Sequence, residues 1–335
     1  MATKIRKYVL RSHFSGFPQR DALEIVEEEL PPIKDGEFLC EAQWISVDPY
    51  MRPYTSRLPL GITMIGTQVA KVVESKNDKY SPGDLVSSNF GWVTHTISDG
   101  VQQWGGKQGP VLKLDPAIHS SPSTALGVLG MPGATSYFGF LEICQPKKGE
   151  TLVVNGGAGA VGSLVGQIAK LKGCRVVGFA GSDAKVKYML DLGFDAAYNY
   201  KTVESLDAAI KESCPNGVDL FFDNVGGEFF EVTLSNMNEF GRVSVCGAIS
   251  LYNATEKPKF RSVSEIILFK QLKVEGFIVA RWLDQWPKAF KEISEWIKEG
   301  KVKYDEHVTE GFDNMFDAFA GLFTGDNTGK AIVKI

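Results

Sequence analysis

Hydrophobic and polar positions follow two rhythms along this chain. Up to about residue 122, short apolar runs alternate with polar residues: KYVL, EIVEEEL, EFLCEAQWISV, QVAKVVES and DLVSSN. Pro31-Pro32, Asp35-Gly36 and Pro82-Gly83-Asp84 punctuate them. Runs of this kind between Pro and Gly predict strands and turns. The expectation is a largely β domain, a small barrel with exposed hairpins. From about residue 123, strand and helix patterns alternate, which predicts βαβ units and a parallel sheet. TLVVN (151–155) reads as a short buried strand. Val161, Leu164, Val165, Ile168 and Ala169 recur at helical spacing, and Gly173 suits the helix end. RVVGFA (175–180) predicts a strand and DAKVKYMLDLG (183–193) a helix. AYNYK, DLFFDNVGG (219–227), GRVSVCGAI (241–249) and VEGFIVA (274–280) predict further strands. In the tail, DNMFDAFAGLF predicts a helix and KAIVKI a strand. The tail's most economical home is the first domain. The expected domains are therefore 1–122 with 300–335, and 123–299.

A length of 335 residues agrees with about two domains. Net charge of −4 argues against a nucleic-acid or anionic-membrane binder. No apolar run approaches the roughly 18 residues of a membrane helix. The opening MATKIRKYVLRSHF has basic residues but neither an apolar stretch nor a cleavage site, so a cytoplasmic protein is expected. The cysteines at 40, 144, 174, 214 and 246 are odd in number and form no C-x-x-C, which suits reduced thiols. Asn253-Ala254-Thr255 matches a glycosylation sequon and is read as chance. The four histidines (13, 95, 119 and 307) are scattered, and no Cys cluster has ligand spacing, so no metal site is expected.

The chemistry concentrates in VVNGGAGAVGS (153–163), where Gly157, Gly159 and Gly162 have G-x-G-x-x-G spacing. In a chain with 35 glycines that spacing alone says little. Its setting says more, because it follows a predicted strand and opens a predicted helix. The expected roles are a tight turn at Gly157, approach of a pyrophosphate at Gly159 and close packing at Gly162. The helix N-terminus then offers N–H groups to phosphates. A bare β–α turn without ligand is the alternative. RVVGFA ends in Gly181-Ser182, with no acid to hold a ribose 2′-hydroxyl. Asp183 falls at a helix start, where an acid is stabilised. Lys185, Tyr200 and Lys201 lie near the same strand ends. A missing acid and two bases favour NADP over NAD.

ISVDPYMRPY (45–54), TQVAKVVESKNDKYSPGDLV, NGGAGAVGSLVGQIAKLKGCRVVGFAGS, YNYKTVESL, DLFFDNVGGEFF, GRVSVCGAISLYN and GDNTGKAIVKI resemble, in order and over almost the whole chain, the zinc-free prostaglandin reductase group of the medium-chain dehydrogenase/reductase superfamily. One departure is Gly156-Gly157, where related loops often carry Ala-Ala. The resemblance implies an α/β chain, a GroES-like β-barrel domain plus a Rossmann doubly wound parallel sheet. It implies NADP(H) as cofactor and a homodimer. The pyrophosphate loop is then Gly159, Ala160, Val161 and Gly162, and the 2′-phosphate end Lys185 and Tyr200. Asn224 contacts the cofactor towards its nicotinamide half. Cys246, Gly247, Ala248, Ile249, Ser250, Leu251 and Tyr252 line the nicotinamide. Phe277, Ile278 and Val279 flank it through backbone, and Asn327 reaches in from the tail.

The implied activity is NADPH-dependent reduction of the C=C bond of α,β-unsaturated ketones and aldehydes. Reverse oxidation of a leukotriene hydroxyl is a side activity. Hydride at the β carbon leaves enolate charge on the carbonyl oxygen, so a donor must face that oxygen and a proton must later reach the α carbon. The resemblance implies a nicotinamide ribose hydroxyl as one donor; Tyr252 is the candidate second donor, or else an aromatic packed on its own loop. Tyr50 either faces the substrate or walls the cleft. A phenol with a pKa of about 10 donates at neutral pH without ionising. Met51 and Arg52 read as structural, Arg52 paired with an acid. Cys246 reads as a small buried residue, and Trp92, Tyr54, Phe90 and Phe277 as apolar walls or core. The expected substrate is a lipid-derived enone or alkenal. The alternatives are a zinc-free NADPH quinone reductase and a non-catalytic NADPH-binding protein.

Overall fold

The computed structural model describes residues 3–104, 106–256 and 258–335. Its contacts divide the chain into two compact units. One runs from the N-terminal strand to Leu129 and takes back Glu306–Asn327 and Ala331–Ile335; the other holds Gly130–Asp305 and Thr328–Lys330. The boundaries thus fall at 129/130 and 305/306 instead of 122/123 and 299/300. Pro122–Leu126, a short 3-10 turn, explains the first shift: Ala125 and Leu126 are buried against Val69 and Ile332 of the first unit.

The first unit is built on a seven-stranded sheet. Phe38–Ser46 pairs antiparallel with Gln68–Ser75, His95–Ser98 and the closing Lys330–Lys334. Gln68–Ser75 passes the order on to Leu85–Ser88 and Leu112–Lys113. Thr3–Leu10 and Leu23–Leu30 form a separate antiparallel pair, as do Val101–Trp104 and Lys107–Pro110. Phe312, Met315, Phe316 and Phe319 of the tail share a buried cluster with Tyr8, Phe14, Met51 and Trp92. The apolar face of the Met315–Thr324 helix supplies most of that side.

The second unit carries six parallel strands: β1 (Thr151–Asn155), β2 (Arg175–Ala180), β3 (Ala196–Asn199), β4 (Val218–Asp223), β5 (Met237–Val245) and β6 (Lys273–Gly276). They lie in the order β3-β2-β1-β4-β5-β6, with every pairing parallel. This is the doubly wound Rossmann order. All five residues of β1 are buried, which is why it reads as one apolar run and not as an alternation. Helix α1 (Gly162–Leu171) follows β1, and α2 (Asp183–Asp191) follows β2. The strand expected over VEGFIVA stops at Gly276, and Val279–Gln285 is a 3-10 turn. β6 is the sheet edge, so nothing beyond β5 holds the chain extended. The helix Trp286–Lys298 has no counterpart among the expected elements; it buries Ala289, Phe290 and Ile293 on one face. The sheet reverses its order between β1 and β4, so a crevice opens at the carboxyl ends of those two strands.

Candidate active site

The phosphate end is built from backbone. After Asn155 the chain turns through Gly156 at φ 59°, a conformation open to glycine at little cost. The turn therefore sits at Gly156 and not at Gly157. Gly157 packs instead: a Cβ there would lie 2.5 Å from the Met189 sulfur and 3.6 Å from Gly178 Cα of β2. At Gly162 a Cβ would lie 2.3 Å from the Gly156 carbonyl oxygen and 2.9 Å from Gly157 Cα, so no side chain enters. At Gly159 the nearest such atom is 3.4 Å away, which leaves an open side. Gly159, Ala160 and Val161 are partly exposed just ahead of α1, whose first N–H groups point out of its N-terminal end. Thr328–Lys330 adds a third wall: the Gly329 N–H donates to the Ala158 carbonyl at 2.8 Å, and Gly329 bridges Gly159 in parallel. Asn327 is the next residue upstream and belongs to the first unit.

The tip of β2 carries no acid. A Cβ at Gly181 would meet the Tyr200 hydroxyl at 3.1 Å and Lys201 Cε at 3.2 Å, so a phenol and a lysine stem close on that tip. Asp183 opens α2, and its carboxylate accepts from Asn199 Nδ2 at 2.8 Å. The Ser182 hydroxyl caps α2 by accepting from the Lys185 N–H at 3.4 Å. Lys185 is thereby held in the first turn, and Tyr200, beside Gly181, is 47% exposed.

The switch-point end is built from side chains far apart in sequence. Asn155 and Asp223, the last residues of β1 and β4, are both about 1% exposed. Asn155 Nδ2 donates to Asp223 Oδ1 at 2.6 Å across the crevice. Asn155 Oδ1 accepts from the Asn224 N–H at 2.7 Å, and Asn224 Nδ2 donates to the Asn155 carbonyl at 2.8 Å. Asp223 Oδ1 also takes the N–H groups of Val225 and Gly226, at 3.0 and 2.9 Å. Its main-chain oxygen accepts from Cys246 and Gly247. The loop after β5 is thus fastened to the loop after β4. Ile249 N–H donates to Asn224 O, and Ser250 donates to Val225 O. Leu251 closes that single turn of 3-10 helix.

The loop after β5 and the end of β6 bound a shallow, open cleft of about 480 Å³, lined by Val245, Cys246, Gly247, Ala248, Tyr252, Gly276, Phe277 and Ile278. The Tyr252 oxygen accepts from the Ala248 N–H at 3.2 Å. Accepting one bond polarises the phenol and strengthens its own O–H as a donor. Burial, reinforced by Asp223, pushes the Cys246 thiol up to about 12, so it is neutral and inert at physiological pH. The Phe277 ring turns towards Gly139, Phe222 and Trp282. Its centroid lies 6.4 Å from that of Phe222 and 5.6 Å from that of Trp282. A Cβ at Gly139 would lie 2.3 Å from Phe277 Cζ, so that glycine makes the room. Ile278 is 61% exposed, and Val279 is buried.

Tyr50 lies in the first unit, where its ring meets Tyr54 edge-on at 5.3 Å. Burial raises its phenol above the ordinary range; Asp48 and Tyr54 add to this and a hydrogen bond with Thr67 opposes it. Arg52 corrects an expectation. Its guanidinium donates to the Gly16 carbonyl at 3.0 Å and lies 5.6 Å from the Phe14 ring centre, a cation–π contact and not an acid pair. Trp92 is fully buried core. Sequence reasoning missed Asn155, Asp223, Gly139 and the turn at Gly156. A polar residue ending each of two apolar strands, TLVVN and DLFFD, was the available signal for the first two.

Among the described residues no group of three or more His, Cys, Asp or Glu is placed to hold a metal ion. Two family descriptions match the chain: the N-terminal domain of oxidoreductase over residues 6–104, and zinc-binding dehydrogenase over residues 160–298. Prostaglandin reductase 1 of Bos taurus is 51% identical, over 98% of this chain and 98% of its own. The NADP(+)-dependent 2-alkenal reductase of Nicotiana tabacum is 38% identical, over 98% of this chain and 97% of its own. The crystal structure of CurA in complex with NADPH from Vibrio vulnificus matches with a TM-score of 0.90 at 38% identity, covering 98% of both chains. The chain belongs to the zinc-free medium-chain dehydrogenase/reductase family, within its prostaglandin reductase group.

Proposed function

We propose that this chain reduces the C=C bond of α,β-unsaturated ketones and aldehydes with NADPH. The observation that carries the reading is the Tyr252 phenol, held by the Ala248 N–H in the wall of the cleft at the carboxyl ends of β5 and β6. The residues fit the cofactor. The Gly156–Gly162 loop leaves an open side at Gly159 and excludes a side chain at Gly162, and Tyr200 and Lys201 close on the tip of β2 in place of an acid. Gly159, Ala160, Val161 and Gly162 hold the pyrophosphate, and Lys185 and Tyr200 the 2′-phosphate. Asn224, Cys246–Tyr252 and Phe277–Val279 hold the nicotinamide side, with Asn327 closing from the tail. Bound there, the cofactor supplies the hydride. Tyr252 donates to the carbonyl oxygen as enolate charge grows, which is where a preorganised donor contributes most. Tyr50, its pKa raised by burial, stays protonated and is the second proposed catalytic residue. Apolar lining at Val245, Ala248, Phe277 and Ile278 suits a lipid-derived chain.

The edge strand β6 and the short helix Ser264–Phe269, with Leu268 68% and Phe269 75% exposed, support a homodimer formed along this edge. Five free cysteines support a reducing, cytoplasmic setting. No described helix is long and apolar enough to cross a membrane.

NADPH oxidation with a 15-oxo-prostaglandin, 4-hydroxynonenal and a simple quinone tests the reading. Turnover of the two conjugated carbonyls above the quinone is expected. Preference for the quinone makes the chain a quinone reductase, and tight NADPH binding without any turnover makes it a non-catalytic binder.

A further inference from the structure

Asp223 is a buried acid that the proposed chemistry does not use. It sits at the carboxyl end of β4 with about 1% exposure. Its Oδ1 accepts from Asn155 Nδ2 at 2.6 Å, Gly226 N–H at 2.9 Å and Val225 N–H at 3.0 Å. Burial raises its pKa, and these donors oppose the rise. Three N–H groups converging on one oxygen are the environment of a carboxylate. Asp223 is joined to the cleft wall through its main chain, whose oxygen accepts from Cys246 and Gly247, at 2.8 and 3.1 Å. Cys246 and Gly247 are cleft-lining residues. The carboxylate's field reaches that wall, for it works with burial in raising the Cys246 thiol.

We propose that the buried Asp223 carboxylate sets the oxidation-state preference of the bound cofactor, favouring the cationic oxidised nicotinamide over the neutral reduced one. This rests on the reading that places the nicotinamide in this cleft. Loss of hydride, two electrons with one proton, leaves a positive charge on the ring while the substrate β carbon gains the hydride. A fixed negative charge screened by little water attracts that cation and acts on the neutral ring hardly at all. The bound reduced cofactor is thereby a stronger hydride donor than it is in water. Asp223 does this without touching the reacting atoms.

The test is the dissociation constant of NADP⁺ and of NADPH in the wild-type chain, Asp223→Asn, Asp223→Ser and Asn155→Leu. Binding of 2′,5′-ADP reports the phosphate end separately. Asp223→Asn is expected to weaken NADP⁺ about five- to tenfold more than NADPH, with 2′,5′-ADP binding unchanged. Asp223→Ser is expected to shift the ratio in the same direction. Asn155→Leu removes two side-chain hydrogen bonds, one given to Asp223 and one taken from the Asn224 N–H, but no charge, and the Val225 and Gly226 N–H groups still hold the carboxylate, so it weakens both nucleotides equally. Equal weakening of both forms in the Asp223 variants overturns the proposal, as does an equal ratio shift in Asn155→Leu. If neither neutral variant binds 2′,5′-ADP, Asp223 holds the fold itself and the charge assignment falls. A wild-type chain that binds neither nucleotide overturns the cofactor reading, and the proposal with it.

Discussion

The two ends of the crevice in the Rossmann unit are made in opposite ways. The phosphate end is local: Gly156 to Gly162 lie within one loop, closed by Gly162 against the Gly156 backbone and by Gly157 against the Met189 sulfur. The switch-point end is assembled from Gly139, Asn155, Asp223, Cys246, Tyr252 and Phe277, spread over most of the unit. The first end is held by close packing at those two glycines. The second is rigid because buried donors and acceptors are matched, and such groups are costly to leave unpaired. On the proposed reading, the local end binds the cofactor body and the assembled end carries the chemistry.

Substitutions at the two ends should separate accordingly. Gly162→Ala is the largest. Its Cβ meets a main-chain oxygen at 2.3 Å, and main chain has no rotamer to escape by. NADPH affinity should fall more than about 100-fold and stability by about 3 kcal/mol, read by titration and thermal melting. Retained affinity would show that the loop does not cradle phosphate. Tyr252→Phe comes next and should cross the pattern. It removes one donor to the developing oxyanion, so kcat should fall about 100-fold while NADPH affinity stays within about twofold. An unchanged kcat removes Tyr252 from the mechanism. Lys185→Ala is the smallest. Losing one charge-assisted contact should weaken NADPH about tenfold and NADH by less than about twofold. Equal loss for both cofactors would dissociate Lys185 from the 2′-phosphate.

The same contrast decides what was legible. TLVVN and RVVGFA are strands over the residues expected, because a parallel strand buried on both faces leaves an unbroken apolar run. The glycine loop was legible for its spacing, yet its turn was placed one residue late. Gly156 and Gly157 are chemically identical in sequence, and only packing against Gly178 and Met189 tells them apart. VEGFIVA is mostly apolar but extended only to Gly276, since Phe277 leaves the sheet to fill the space above Gly139. That contact spans more than a hundred residues and leaves no periodic trace. Asn155 and Asp223 had only a weak signature, a single polar residue closing an apolar strand. Arg52 was read as one half of an ion pair, because a buried charge usually has an acid beside it. Its hydrogen bond to the Gly16 carbonyl and its place near the Phe14 ring are tertiary facts.

The central claim is that the assembled end directs hydride to the β carbon of a conjugated carbonyl. NADPH carrying deuterium at the transferred position, incubated with an α,β-unsaturated ketone and this chain, tests it by NMR of the product. The expected product is a saturated ketone with deuterium on the β carbon and the carbonyl intact. Deuterium on the carbonyl carbon of an allylic alcohol would contradict it.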